Sequence, residues 1–224
     1  MPPTDPRWPK VLSLSVHEFR TPMTVVSGYI RMLLKDRAGA LNDQQRRLLE
    51  EAEKACGRLS ALLAEMSEVS NLEAGTAPFN KSAVDLRVLL REAIAELPPL
   101  PDREVPVTLE TGDGPASITA DPVRLKSALV SVTAALRREL IGDDPLIIRE
   151  RATQSGYELL FGDSATLAAL EAESGATRDS FDEWRGGVGL SLMVARRVLA
   201  AHGADISAPP GDFKSGARIL FRSA

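Results

Sequence analysis

Residues 13–30 read SLSVHEFRTPMTVVSGYI, and the reading of this stretch decides the fold. Its apolar side chains belong to a longer series, Leu12, Val16, Phe19, Met23, Val26, Ile30 and Leu33, recurring at three- and four-residue steps. That spacing predicts a helix from Trp8 to about Lys35 with a seam close to a heptad. Val16 and Phe19 fill the seam and turn His17 to the flank. Pro22 has no amide hydrogen for the carbonyl of Glu18, which predicts a bend one turn past the histidine.

A metal role for His17 fails on spacing. A zinc-binding helix of the His-Glu-x-x-His type needs a second imidazole where Thr21 stands, and the other histidine is the distant His202. No metal ligand is assigned. A core role is weakened because the seam is already occupied. A flank histidine beside a carboxylate has a chemical use: Glu18 can orient the imidazole and take its proton, leaving the other ring nitrogen to attack phosphorus. Thr21, one turn on, can hold a water for attack on an acyl phosphate.

A turn near Gly39 leads to a second helix at LNDQQ, with Asn42 as N-cap and Gln45 at the capping-box position. Its stripe, Leu48, Ala52, Ala55, Leu59, Leu62, Met66 and Val69, fades by Gly75. Two helices with narrow stripes bury too little surface as an isolated hairpin. The expected solution is a homodimer in which two hairpins form a four-helix bundle. The alternative is a monomeric hairpin packed on the second half of the chain.

The character changes after NLEAGTAPFN, which sets a boundary between residues 1–77 and 78–224. Asp85 is a cap for a helix through Leu86–Leu97, stopped by PPLP. VPVTLE and ASITA are strand candidates separated by TGDG, and Asp121 caps a long helix to about Leu140. PLIIRERA and GYELLFGD read as strands around a turn at Ser155-Gly156. A helix over Val188–His202 and the strands ADISA and ARILFRS close the chain. The class is α+β, a helical hairpin followed by a sandwich with helices on one face of a mixed sheet.

Composition excludes little but is consistent. The chain has 224 residues, 44% hydrophobic and 26% charged, as in ordinary globular domains. A net charge of −4 gives no general reason to expect nucleic acid as a partner. Cys56 is the single cysteine, so no internal disulfide forms, which suits a reducing cytosol. No apolar run approaches the roughly 18–20 residues of a membrane span, and MPPTDPRWPK lacks a signal-peptide core. A cytoplasmic protein without membrane insertion is expected.

His17-Glu18-Phe19-Arg20-Thr21-Pro22 resembles the phosphoacceptor box of two-component sensor histidine kinases, in their dimerisation and histidine-phosphotransfer domain. The resemblance extends through LNDQQRRLLEEAEKACGRLSALLAEMSEVSNLEAG, which is similar to that family's second helix. It implies that His17 is the phosphorylated residue, with Glu18 as its acid/base partner. Glu18 and Thr21 also fit an E-x-x-T pattern linked to dephosphorylating a response regulator.

In that family the following α/β-sandwich domain binds Mg²⁺-ATP, and the order of elements here agrees. Asp121-Pro122-Val123-Arg124-Leu125 resembles the start of the helix with the asparagine box, but its two asparagines fall at Ser131 and Ala135. The methyl of Ala135 offers magnesium no oxygen. Asp163 stands where an aspartate would take the adenine amine, yet Ser164-Ala165-Thr166-Leu167 replace the box glycines. Asp163 either keeps the nucleotide role or caps the next turn. Phe181-Asp182-Glu183-Trp184-Arg185 runs almost directly into Gly186-Gly187, so the lid segment is very short. Gly187-Val188-Gly189-Leu190-Ser191-Leu192 resembles the last glycine box, where Gly187 and Gly189 expose amides to phosphate or serve close packing. His202, at a helix C-terminus, reads as structural, where partial positive charge is favourable.

The resemblance therefore implies an intact phosphoacceptor beside a degenerate nucleotide domain, with ATP and Mg²⁺ not assigned as cofactors. Three functions fit. His17 exchanges phosphoryl groups with the receiver domain of a response regulator, or takes them from a kinase in trans. Alternatively, the chain phosphorylates itself through divergent boxes. The third is a non-catalytic dimeric scaffold that holds a regulator or a kinase.

Overall fold

A computed structural model describes residues 7–113, 116–141, 144–154, 156–172, 181–211 and 215–222. Gly114 of the TGDG separator, Ser155 of the turn, Ser223 and the proline-rich residues 1–6 lie outside them. The chain divides into two compact units, Met1–Ala77 and Pro78–Ala224.

The first unit is a pair of antiparallel helices, α1 (Trp8–Leu34) and α2 (Asp43–Glu73). Asn42 accepts from the Gln45 amide at 2.8 Å while the Gln45 side chain accepts from the Asn42 amide at 3.0 Å, closing the capping box expected from sequence. Ser70 Oγ donates to Pro9 O at 2.7 Å at one end, and Arg46 donates to Leu34 O at 3.0 Å near the other. Leu12, Val16 and Ile30 of α1 are buried, as are Cys56 and Val69 of α2. α1 is helical throughout, with Pro22 inside it. Phe19, which its spacing puts in the seam, is 59% exposed in the single chain. Val26, Leu48, Leu59 and Leu62 are also exposed, so part of each stripe is uncovered in the single chain.

The second unit contains a two-stranded sheet, β1 (Ser82–Asp85) with β3 (Ser117–Ala120), and a five-stranded sheet in the order β2-β4-β5-β7-β6. The latter comprises β2 (Val107–Thr111), β4 (Leu146–Thr153), β5 (Gly156–Gly162), β6 (Ala204–Ser207) and β7 (Ala217–Arg222). Only the β2–β4 pairing is parallel. Its helices are α3 (Leu86–Ala95), α4 (Pro122–Glu139), α5 (Ser164–Ala172) and α6 (Ser191–Ala201).

Side chains alternate along β5, so its neighbours separate by face. Leu159 and Phe161 pair with Glu150 and Ile148 of β4. Glu150, fully buried, accepts from Arg87 Nε of α3 at 2.8 Å and from the Gly112 amide at 3.0 Å, so α3 lies on this face. Leu160 points to the other face and packs with Leu167 and Leu170 of α5 and with Ile147. The sequence reading put all helices on one face. α5 instead covers the opposite one, because its leucines have Leu160 to bury.

Asp121 fixes the start of α4. Its carboxylate accepts from the amides of Arg124 at 3.1 Å and Asn80 at 2.8 Å. Burial would raise this carboxyl, but the amide donors of Arg124, Asn80 and Val123 outweigh it and hold it below its ordinary 3.8. The Asp121 amide donates to His202 Nε2 at 2.9 Å, and His202 Nδ1 meets Val198 O at 2.7 Å. These partners define a neutral imidazole with its proton on Nδ1. The expectation of a histidine placed to welcome positive charge at the helix end is thereby corrected. Phe79 packs edge-on against the ring, with Lys81 and Arg124 over the Phe79 face.

Burial pushes His202 below its ordinary 6.5, and the bond to Val198 O only partly opposes it. A lowered histidine binds protons less well folded than unfolded. Its contribution is thus complete above the unfolded value and lost as pH falls through the lower folded one. Denaturant unfolding followed from about pH 7.5 to about pH 5.5 should show the second unit losing stability. His202→Phe, which cannot take up a proton, should flatten that slope.

Candidate functional site

His17 projects from α1 with 74% of its side chain exposed, and Glu18 is 72% exposed. Nδ1 of His17 lies 3.4 Å from Glu18 Oε1, a long contact between residues that do not share a helix face. A proton on Nδ1 directed at that carboxylate leaves Nε2 with a lone pair facing solvent. Buried Val16 holds the turn in place from the opposite side.

Two surface hollows meet at His17. One, of about 550 Å³, is lined by Lys10, Ser13, Leu14, Ser70 and Asn71 with the histidine. The other, of about 350 Å³, is lined by His17, Arg20, Thr21, Thr24 and Val25, so Thr21 shares a hollow with the histidine as their spacing suggested. A reactive nitrogen open to solvent between two recesses can meet a phosphoryl group carried by another molecule. Both recesses are built by the hairpin alone.

The nucleotide-related residues of the second unit are engaged differently. Asp163 follows β5, and its Oδ1 accepts from the Thr166 amide at 2.7 Å, capping α5. Of the two roles left open by sequence, the capping role is the one seen. Ala135 is fully buried in α4, and the Ser131 hydroxyl donates to Ser127 O at 3.0 Å. Gly186, Gly187 and Gly189 adopt φ of +74°, +58° and +66°, a run that keeps α6 from starting before Ser191.

Two side chains of α4 that sequence reasoning passed over, Arg138 and Glu139, hold this loop. Arg138 Nη1 donates to Gly187 O at 3.0 Å, and Arg185 Nε donates to Glu139 Oε2 at 2.7 Å. The signal was the run Arg137-Arg138-Glu139 at the end of α4, read only as the helix terminus.

Residues 10–75 match the His Kinase A (phospho-acceptor) domain. The sensor histidine kinase GacS of Pseudomonas protegens is 26% identical over 215 residues, covering 88% of this chain and 23% of GacS. The hairpin thus matches the phospho-acceptor domain of histidine kinases, and most of the chain is similar to sensor histidine kinases. The cell-division control histidine kinase PdhS of Brucella suis is similarly 26% identical over 216 residues, covering 87% of this chain and 21% of PdhS. The chain thus spans less than a quarter of the length of these curated relatives. The crystal structure of full-length ShkA in complex with AMPPNP shares the fold, with a TM-score of 0.69 at 20% identity, over 94% of this chain and 44% of that one. Among the described residues, no helix is long and apolar enough to cross a membrane.

Proposed function

We propose that the chain acts in two-component signalling by carrying a phosphoryl group on His17, received from the aspartyl phosphate of a receiver domain or from a kinase in trans. The observation that supports this best is the exposed imidazole with Glu18 beside Nδ1. In the transfer, the Nε2 lone pair forms a bond to phosphorus as the bond to the acyl oxygen breaks. The aspartate leaves as carboxylate, and Glu18 takes the Nδ1 proton and passes it to solvent. The reverse step returns the group to a regulator. Magnesium is supplied by the acidic pocket of the receiver domain. Thr21, lining the same hollow, is placed to hold a water that hydrolyses the regulator's acyl phosphate instead. The uncovered Leu48, Leu59 and Leu62 support pairing of two hairpins as a homodimer.

Incubating the chain with a ³²P-labelled receiver domain and Mg²⁺, without nucleotide, tests this reading. Acid-labile, base-stable label should appear on the chain. A receiver that co-purifies but transfers nothing would establish the scaffold reading in its place.

A further inference from the structure

We infer that the second unit fills its own nucleotide place and takes no Mg²⁺-nucleoside triphosphate, because Phe181–Gly187 is built into the gap between α4 and the β5–β7 strand ends. This rests on the histidine-kinase reading of the second unit, and it deepens the proposal above by placing the phosphoryl donor outside this chain.

Gly186 lies directly on Ala135. A Cβ built on Gly186 would stand 2.7 Å from Ala135 Cβ and 2.8 Å from its Cα, inside any real carbon–carbon contact. The position facing a triphosphate-bound magnesium thus presents a methyl group already covered by backbone. Magnesium demands oxygen ligands at short, near-octahedral distances, and neither group there supplies a side-chain oxygen. An asparagine at this position would have to drive Gly186 away.

Arg185 extends the closure along the gap. Its guanidinium pairs with Glu139, one turn beyond Ala135, and reaches Gly216 O beside the start of β7 at 3.4 Å. Only 10% of that side chain is exposed, and it lies over the ring of Phe181, itself buried. Glu183 accepts from Arg196 at 3.3 Å and Arg197 at 3.4 Å, both on α6. The segment is therefore fastened to α4, to the sheet and to α6. Asp163 has already committed an oxygen to the Thr166 amide.

Calorimetric titration of the full chain with millimolar Mg²⁺-ATP should give no saturable heat, and melting temperatures with and without nucleotide should coincide. Ala135→Asn should lower the melting temperature and still not bind, since the added amide meets Gly186. Saturable binding of Mg²⁺-ATP by the unaltered chain, with a raised melting temperature, overturns the inference. Binding by Ala135→Asn alone overturns it too, because the loop would then be an ordinary mobile cover. Transfer from a phosphorylated receiver is measured without nucleotide, so either result leaves the His17 proposal to be judged separately.

Discussion

Replacing His17 with glutamine is expected to reduce labelling by a phosphorylated receiver domain to the uncatalysed background, with the melting temperature unchanged. Glutamine keeps polarity and approximate size but has no lone pair on a basic nitrogen, so no bond to phosphorus forms. Stability should hold because 74% of the side chain is in solvent and its polar contact among the described residues is the long 3.4 Å approach to Glu18. Exposed substitutions of this kind generally stay within about 0.5 kcal/mol. Glu18→Gln is the informative companion. It retains the nucleophile but cannot accept the Nδ1 proton, so transfer should slow by roughly 10²-fold or more while label still accumulates. Equal loss in both variants would mean that Glu18 does more than move a proton. Full label in His17→Gln would place the acceptor elsewhere and end the proposal.

The hairpin and the starts of α3 and α4 were legible because their signals are local. Heptad spacing, the Asn42–Gln45 box and the caps at Asp85 and Asp121 each depend on residues within one turn, and each is found where expected. What covers Phe19 was not legible, because periodicity marks a stripe as apolar without telling which partner covers it. β1 was missed because Ser82–Asp85 has only its pairing with β3 to define it. α5 was missed for a different reason: SATLAALEA is apolar on nearly every side, so no amphipathic period betrays it. Its start was legible only in Asp163, which the sequence left open between capping the next turn and a nucleotide role. The charge of His202 was misjudged because a helix end favours a cation only while the site is open to solvent. The closure by Arg185 joins residues 139, 185 and 216, a contact that local patterning does not encode.

The face covered by α5 carries the other large expected effect. Glu158 of β5 and Arg218 of β7 pair at 2.9 Å with only 6% and 4% of their side chains exposed. Glu158 also accepts from Arg151 Nε at 2.6 Å, and Arg218 donates to the carbonyl of Leu170 on α5. Glu158→Gln keeps the shape but removes the charge, leaving a buried guanidinium without that carboxylate. Breaking one side of a buried pair costs about 3–5 kcal/mol. Set against a domain stability of about 5–15 kcal/mol, this is enough to bring the second unit close to unfolding. Denaturant unfolding of the chain should register the loss, and α5 should show faster amide exchange because Arg218 anchors its end. Glu158→Leu with Arg218→Met should recover most of the stability, since two apolar side chains need no partner in the same space. A surface ion pair would lose less than about 1 kcal/mol in the single variant and nothing would be regained in the double. A small single loss would therefore mean that solvent reaches the pair and that α5 does not cover this face of the sheet.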